Sequence, residues 1–333
     1  MGYYQDKCDE IADIFGVPSV VIDGDVLVVA THRYPIVDDV IVLLPPNQYP
    51  ASLRRRLSGP VPESVEVQEG FAEDIQFSFG EEWKTFNQIL PEHEDEFRAY
   101  FDLVSDEDVI GKRVCDLGCG IGRWSLFLHK RCRSMVLVDF SEAIFVARKN
   151  LKDADNALFF MGDLRNLPFR NDFADLLFSI GVLHHLPVDC LGEVRKLTKY
   201  AGTLLIYLYY ALDNRPFYFR TLLGIAAGVR HLVTPIRNHG FRIAFSWLVG
   251  IFVYWPFIAL GAILNPFGLS RRVPLYEGYK GTGLKRIRQD VYDRFFTSIE
   301  QRVSRDQIME LEDTFANIEI SNRIPYWHFL CRR

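Results

Sequence analysis

The sequence lacks any pair of cysteines separated by two residues. Its six cysteines lie singly at positions 8, 115, 119, 132, 190 and 331. This scatter argues against a zinc knuckle or a disulfide framework, and it predicts reduced thiols in the cytoplasm. The first sixteen residues, MGYYQDKCDEIADIFG, contain early acids and no apolar run. We therefore expect neither a secretory signal nor a metal site.

Acidic residues are almost missing from one long part of the chain. Between Arg215 and Arg288, eleven Lys or Arg residues accompany a single acid, Glu277. Residues 61–110 show the reverse, with fifteen Asp or Glu against two Lys or Arg. A basic segment suits an anionic membrane surface or an anionic substrate, and a solvated basic face is the plainer alternative.

The basic part contains a long apolar run. Residues 245–264, FSWLVGIFVYWPFIALGAIL, carry no charge, and the uncharged stretch extends from Ile243 to Ser270. About 20 apolar residues are enough to cross a bilayer. Pro256 is expected to break or kink a helix here.

The clearest chemical motif is a glycine-rich turn between a strand pattern and a helix pattern. It lies in GKRVCDLGCGIGRWSLFLHK, residues 111–130, and has the spacing D-x-G-x-G-x-G from Asp116 through Gly118 and Gly120 to Gly122. Glycines let the backbone approach a ligand closely, and a helix N-terminus behind them favours an anion. The acid before the loop would repel a pyrophosphate, whereas it is well placed for an ammonium group.

This motif resembles the first motif of the class I S-adenosylmethionine-dependent methyltransferases of the small-molecule type. The segments that follow agree with the resemblance, since a second strand ends at Asp139, a third ends at Gly162, and ADLLFSIGVLHHLP forms a fourth strand and its loop. The resemblance implies a methyltransferase enzyme with S-adenosylmethionine as cofactor. It also implies an α/β, Rossmann-like sheet of seven strands, with NIEISNRI and WHFLCRR as the last two.

Cofactor-binding residues are expected at the carboxyl ends of these strands. An acid at the end of the second strand is placed to accept hydrogen bonds from both ribose hydroxyls, and the resemblance places the residues after the third strand beside the adenine. The predicted set is Asp116, Gly118, Gly120, Gly122, Asp139, Phe140, Gly162, Asp163, Leu164 and Ser179.

Candidate catalytic and substrate-binding residues lie in three other places. His184 and His185, after the fourth strand, are candidate bases if the acceptor must lose a proton, with His184 the first choice. The alternative is that the pair only shapes the pocket. Trp83, Tyr292 and Arg294 are candidate substrate-binding residues. The alternatives are core packing for Trp83 and a salt-bridged surface helix for the other two.

These patterns divide the chain into four parts. We predict a small β-rich N-terminal module at 1–58, an acidic connector with a helical cofactor lid at 59–110, a methyltransferase core at 111–215 and 291–333, and an apolar, basic lid inserted after the fifth strand at 216–290.

The N-terminal phrase RYPIVDDVIVLL resembles the end of the zinc-binding methyltransferase activator modules. Those modules carry cysteine pairs, whereas the places before Tyr34 hold Leu27 and Ala30. We interpret this part as a degenerate, metal-free version, which either docks a partner or packs against the core.

The position of the apolar run restricts its relation to a membrane. Strands on both sides of the insertion must join one sheet, so an odd number of spans is excluded. We expect an interfacial lid over the active site, with an internal apolar core as the alternative. This predicts a methyltransferase for a small hydrophobic or amphiphilic acceptor, peripheral at the inner membrane face through residues 216–272. The alternatives are a tRNA or protein substrate, although no basic patch with interleaved aromatics outside the lid supports nucleic acid, and a non-catalytic scaffold.

Overall fold

The computed structural model describes residues 2–57 and 73–333. The first part of the predicted acidic connector, residues 59–72, lies outside the described residues. Eleven strands are found in the described part: β1 (Val21–Asp23), β2 (Val26–Val29), β3 (His32–Val37), β4 (Val40–Val42), β5 (Arg113–Leu117), β6 (Ser134–Asp139), β7 (Ala157–Met161), β8 (Ala174–Ile180), β9 (Ala201–Tyr207), β10 (Asn317–Ile320) and β11 (His328–Arg332).

The same part of the chain contains thirteen α-helices. They are α1 (Cys8–Phe15), α2 (Ala51–Arg56), α3 (Glu73–Thr85), α4 (Glu92–Tyr100), α5 (Ser125–Leu128), α6 (Ala143–Asn150), α7 (Cys190–Leu197), α8 (Phe217–Val233), α9 (His239–Val249), α10 (Trp255–Leu264), α11 (Tyr276–Tyr279), α12 (Leu284–Phe296) and α13 (Arg305–Met309).

The strands form one mixed sheet in the order β1-β2-β3-β4-β7-β6-β5-β8-β9-β11-β10. Neighbouring strands from β4 to β9 run parallel, and the pairs at both ends of the sheet are antiparallel. Parallel neighbours need crossover connections, which α5, α6 and α7 help to supply. The predicted α/β, Rossmann-like fold is confirmed, and β5–β11 are the seven strands expected of it.

The N-terminal strands extend this sheet. β4 pairs with β7 in parallel, with Val42 opposite Met161. The Tyr4 hydroxyl donates to the carbonyl of Asp39 at 2.6 Å and accepts from the amide of Phe159 at 3.2 Å. The N-terminal residues thus pack against the core, which is one of the two alternatives considered for this part of the chain. A role in docking a partner stays a prediction.

The core has two layers, one on each face of the sheet. Side chains alternate between the faces of a strand, and β5 places Cys115 in one apolar cluster and Val114 in the other. β6 does the same with Val136 and Met135. Strands buried on both faces explain why the central segments are almost continuously apolar.

The insertion between β9 and β10 is helical. Within it α9, a π-helical turn at Gly250–Tyr254 and α10 follow one another without a gap, so that one helical segment runs over His239–Phe267. We expected a break or a kink at Pro256. The break does not occur, because the proline stands in the first turn of α10, directly after the π-helical turn. Such turns relax the regular hydrogen-bond spacing, which accommodates the missing N–H.

Helix α12 joins the insertion to the core. It buries Ile287, Val291, Tyr292 and Phe296 in a third apolar cluster, which also contains Tyr254 from the π-helical turn. The alternative of a salt-bridged surface helix is therefore wrong for this part of the chain. Its polar residues Gln289, Asp290, Asp293 and Arg294 line an interior cavity.

Candidate active site

A cavity of about 940 Å³ lies at the carboxyl ends of the central strands. The glycine loop after β5 and the residues that follow β6, β7, β8 and β9 line one side. The rest is lined by α3, α4, the insertion and residues 324–326. Ligands of open α/β sheets bind at this edge. The predicted cofactor-binding residues and the residues of the insertion thus line the same cavity.

The glycine loop has a shape that requires glycine. Gly118 has a φ of +79°, and a Cβ there would lie 2.5 Å from a methyl carbon of Val182. The backbone N–H of Gly120 donates to Oδ2 of Asp139 at 2.9 Å. The acid at the end of β6 thus fixes the loop, in addition to its predicted role with a ribose.

Asp139 is buried and already accepts several hydrogen bonds. Its Oδ1 atom accepts from the backbone N–H of Ser141 at 2.8 Å and from the Ser141 hydroxyl at 2.7 Å. Burial raises its pKa above the usual value. A carboxylate offers about four acceptor positions, so these bonds and the one from Gly120 leave room for one hydroxyl of a ligand, and not for both ribose hydroxyls as the sequence predicted.

Helix α3 covers the cavity from the side of the predicted connector. The Gln76 side chain donates to the carbonyl of Phe140 at 2.7 Å, which ties the helix to the loop after β6. Further along, the Trp83 ring lies over Gly120, where a Cβ would come within 3.3 Å of it. Trp83 thus faces the cavity instead of serving only as core packing.

Most of the predicted site residues lie in the cavity wall, and five do not. Those in the wall are Gly118, Gly120, Asp139, Phe140, Gly162, Asp163, Leu164, His185, Trp83 and Arg294. Those behind it are Asp116, Gly122, Ser179, His184 and Tyr292.

Two of the residues behind the wall, Ser179 and Asp116, have clear structural partners. The Ser179 hydroxyl donates to the carbonyl of Leu117 at 2.9 Å, and Asp116 accepts from Ser125 at 2.6 Å. Burial raises the pKa of Asp116 to about 7. These two residues support the loop, and neither is placed to contact a ligand in the cavity.

The two adjacent histidines differ in exposure to the cavity. His184 is fully buried, stacks on the ring of Tyr209 at 3.9 Å, and has a pKa well below the usual value because of burial. His185 lines the cavity, and its Nδ1 lies 2.7 Å from the carbonyl of Ile299. Since a carbonyl only accepts, Nδ1 must donate, so that Nε2 carries the lone pair. This Nε2 atom is buried and has no hydrogen-bond partner among the described residues. The geometry therefore favours His185 over His184 as a base.

Arg123 was not anticipated as a site residue. It follows the glycine loop, lies in the cavity wall, and stacks near the rings of Trp83 and Trp124 at 5.3 and 4.5 Å. Its Nη1 is buried without a hydrogen-bond partner among the described residues, the nearest carboxylate being Glu96 at 3.9 Å. Burial lowers its pKa. The only sequence signal was its position directly after Gly122.

Comparison with known proteins identifies the central part of the chain. The family described as "Methyltransferase domain" matches residues 114–202. The chain carries a class I methyltransferase domain. The family and its cofactor, S-adenosylmethionine, are confirmed by this match, which covers the strands β5–β8 and the glycine loop.

Two curated relatives show the same kinship over part of their length. A protein of Encephalitozoon cuniculi (strain GB-M1) that is named as a methyltransferase is 28% identical over 146 residues, which is 42% of this chain and 64% of that protein. A human protein named probable tRNA methyltransferase 9B is 26% identical over 33% of this chain and 24% of its own length. The matched part of the chain thus spans less than two thirds of each relative.

Among solved structures, one neighbour is phosphoethanolamine N-methyltransferase 1 of Haemonchus contortus in complex with phosphoethanolamine and S-adenosylhomocysteine. It is 21% identical and covers 43% of this chain and 34% of its own, with a TM-score of 0.31. A score this low supports no statement about the acceptor of the present methyltransferase domain.

The wall of the methyltransferase domain fits S-adenosylmethionine. Asp139 keeps one acceptor position for a ribose hydroxyl, and Gly162 and Leu164 border the place expected for the adenine. The Nη1 of Arg123, which has no hydrogen-bond partner among the described residues and lies 3.9 Å from the Glu96 carboxylate, suits the carboxylate of the methionine part, and the Trp83 ring lies beside this guanidinium. In residues 2–57 and 73–333 no group of three or more His, Cys, Asp or Glu residues is arranged to hold a metal ion.

Proposed function

We propose that this chain transfers the methyl group of S-adenosylmethionine to a small amphiphilic acceptor that it takes from a membrane surface. One observation carries the acceptor part of the proposal. Leu222, Ile225, Val229 and Val253 line the cavity and are also exposed to solvent. The cavity therefore opens through an apolar mouth, which admits a hydrocarbon chain more readily than a polar substrate.

The outer face of the insertion has the composition of an interfacial element. Most of the exposed large apolar side chains in the described residues belong to residues 217–269, among them Phe252, Trp255 and Ile263. Within His239–Phe267, only 17% of the most apolar 18-residue stretch is buried inside the protein. Soluble proteins rarely expose so large an apolar patch unless it contacts a partner or a membrane.

The topology favours lying on the membrane over crossing it. The chain leaves the sheet at Tyr207 and returns to it at Asn317, so a single crossing would separate strands that are hydrogen-bonded in one sheet. The arginines on the two sides of the apolar run differ in their exposure to solvent. Arg271 is exposed, whereas Arg242 is buried and donates to the carbonyls of Ile236 and Thr234. The exposed ones suit the anionic cytoplasmic leaflet, which is the proposed location.

The cofactor supplies an electrophilic methyl group on a positively charged sulfur. The protein's own contribution is to hold the acceptor in line with the carbon–sulfur bond, and such alignment accounts for a large part of the catalysis. His185, whose side chain lines the cavity and whose Nε2 carries the lone pair of the ring, is our candidate to accept a proton where the acceptor must lose one.

The mouth can be tested with two matched variants in the same helical segment. Val253→Arg places a charge at the mouth, whereas Ile263→Arg places one on the outer face away from the cavity. With a lipid extract dispersed in detergent micelles and S-adenosylmethionine labelled on the methyl group, we expect Val253→Arg to transfer at least about tenfold less label into lipid than Ile263→Arg. Both variants should bind S-adenosylhomocysteine as the wild type does. Equal transfer by the two variants would contradict entry through this mouth.

A further inference from the structure

Two opposite charges face the cavity from adjacent positions of α12 without forming ion pairs. Asp293 and Arg294 both lie in the wall. The Asp293 carboxylate accepts from the hydroxyl of Tyr209 at 2.8 Å and from that of Thr297 at 3.1 Å. Neither residue pairs with an opposite charge among the described residues.

Arg294 is the more conspicuous of the two. It donates to the hydroxyl of Tyr254 at 2.9 Å, and its Nε is buried without a hydrogen-bond partner among the residues described. A guanidinium carries five donors in a planar fork that matches a carboxylate or a phosphate. An unneutralised guanidinium in an enclosed space is costly unless a ligand satisfies it.

Another charge on the same helix is neutralised within the protein. Arg286 forms ion pairs with Glu96 at 2.8 Å and with Asp290. The ion pairs of Arg286 show that acidic partners are present beside α12 for an arginine that is paired within the fold. Asp293 and Arg294 are instead held by tyrosine and threonine hydroxyls that come from different elements, so the two side chains are fixed in position while their charges stay available.

The rest of the neighbouring wall is apolar. Leu223, Ala226, Phe245 and Val249, from α8 and α9, line the same cavity, and the exposed mouth residues continue this surface outward. A ligand that satisfies both α12 charges and the apolar wall must be polar at one end and hydrocarbon at the other.

From this arrangement we infer that the acceptor binds with its head group at Asp293 and Arg294, and that this head group carries both a proton-donating amine or hydroxyl and an anionic carboxylate or phosphate. Asp293 accepts the hydrogen bond of the amine or hydroxyl, and Arg294 holds the anion. The hydrocarbon part follows the wall towards the mouth. This inference rests on the proposed function and names the substrate class of that same site.

The test uses the full chain saturated with S-adenosylhomocysteine and four dodecyl-type probes below their micelle concentrations. N-lauroylserine carries a carboxylate and a hydroxyl, N-lauroylglycine lacks the hydroxyl, N-lauroylethanolamine lacks the carboxylate, and dodecyl phosphate replaces the carboxylate with a phosphate. Calorimetric titration should show that the wild type binds N-lauroylserine at least about tenfold more tightly than the glycine or ethanolamine probe, the range for a hydrogen bond to a charged group. Dodecyl phosphate is compared with N-lauroylglycine to decide which anion is preferred.

Three variants separate recognition from folding. Asp293→Asn should bind N-lauroylserine no more tightly than N-lauroylglycine. Arg294→Gln should bind N-lauroylserine no more tightly than N-lauroylethanolamine. Lys285→Gln, an exposed position of the same helix outside the cavity, should keep both preferences. The inference would be overturned if Asp293→Asn still preferred the serine probe to the glycine probe, or if Arg294→Gln still preferred it to the ethanolamine probe. A cofactor-bound wild type that binds none of the probes would overturn it too. Failure of the wild type to bind S-adenosylhomocysteine would instead contradict the proposed function.

Discussion

The buried Asp116 makes the stability of this fold depend on pH in a direction that can be calculated. Its carboxyl is almost completely enclosed, accepts one hydrogen bond from Ser125, and lies near the negative charge of Asp139. Burial is the main cause that raises its pKa from 3.8 to about 7. In the folded protein it therefore keeps a proton over a pH range in which the unfolded chain has lost it.

The sign and size of the effect follow from this difference. Stabilisation by the retained proton is complete at low pH and is lost as the pH rises through the folded-state pKa. One pKa unit corresponds to about 1.4 kcal/mol, so ionising Asp116 in place lowers the free energy of unfolding by about 4 kcal/mol between about pH 4 and pH 7. Asp116→Asn has a similar shape and no proton to lose, so its stability should escape this decline.

Urea unfolding without ligand, measured across about pH 4 to pH 8, tests the prediction. The free energy of unfolding of the wild type should fall relative to that of Asp116→Asn as the pH rises, by up to about 4 kcal/mol. Asp153→Asn, which changes an exposed carboxyl, is the control and should follow the wild type. Parallel curves for the wild type and Asp116→Asn would refute the reasoning.

Three further predictions concern the cofactor and the membrane. Gly118→Ala should abolish detectable S-adenosylhomocysteine binding in calorimetry because its Cβ has no space, whereas Gly111→Ala, also at positive φ but with no atom within 4 Å, should only reduce stability. Arg123→Gln should weaken S-adenosylhomocysteine binding about tenfold but leave 5′-methylthioadenosine, which lacks the carboxylate, unaffected. Phe252→Ser should reduce co-sedimentation with anionic vesicles about tenfold, since it removes a side chain that is 70% exposed, while Val21→Ser, at 59% exposed, should not. Unchanged sedimentation of the first would contradict the interfacial role.

The methyltransferase core could be predicted from the sequence because its signals are local. A buried parallel strand, a glycine turn and an acid at the next strand end each occupy a few consecutive residues, and Gly118, Asp139 and Gly162 lie in the wall as expected. The pairing of β4 with β7 could not be predicted. It joins residues more than a hundred positions apart, and no local pattern specifies such a partner.

Within the site, sequence position did not determine which side chains face the ligand. His184 and His185 are neighbours with the same chemistry, yet only His185 lines the cavity, because the turn after β8 directs the two rings differently. Arg123 and Tyr254 reach the wall through contacts made by α3, α4 and α12. A polar hydroxyl inside the apolar run was the only hint for Tyr254, and its hydrogen bond to Arg294 depends on tertiary packing.

The most direct test of the account is to identify what receives the methyl group. Purified protein is incubated with methyl-labelled S-adenosylmethionine and a total cell extract, which is then separated into lipid, protein, RNA and water-soluble fractions, with Asp139→Ala as the control. The account predicts label in the lipid fraction, dependent on Asp139. Label in the RNA or protein fraction, with none in lipid, would contradict it.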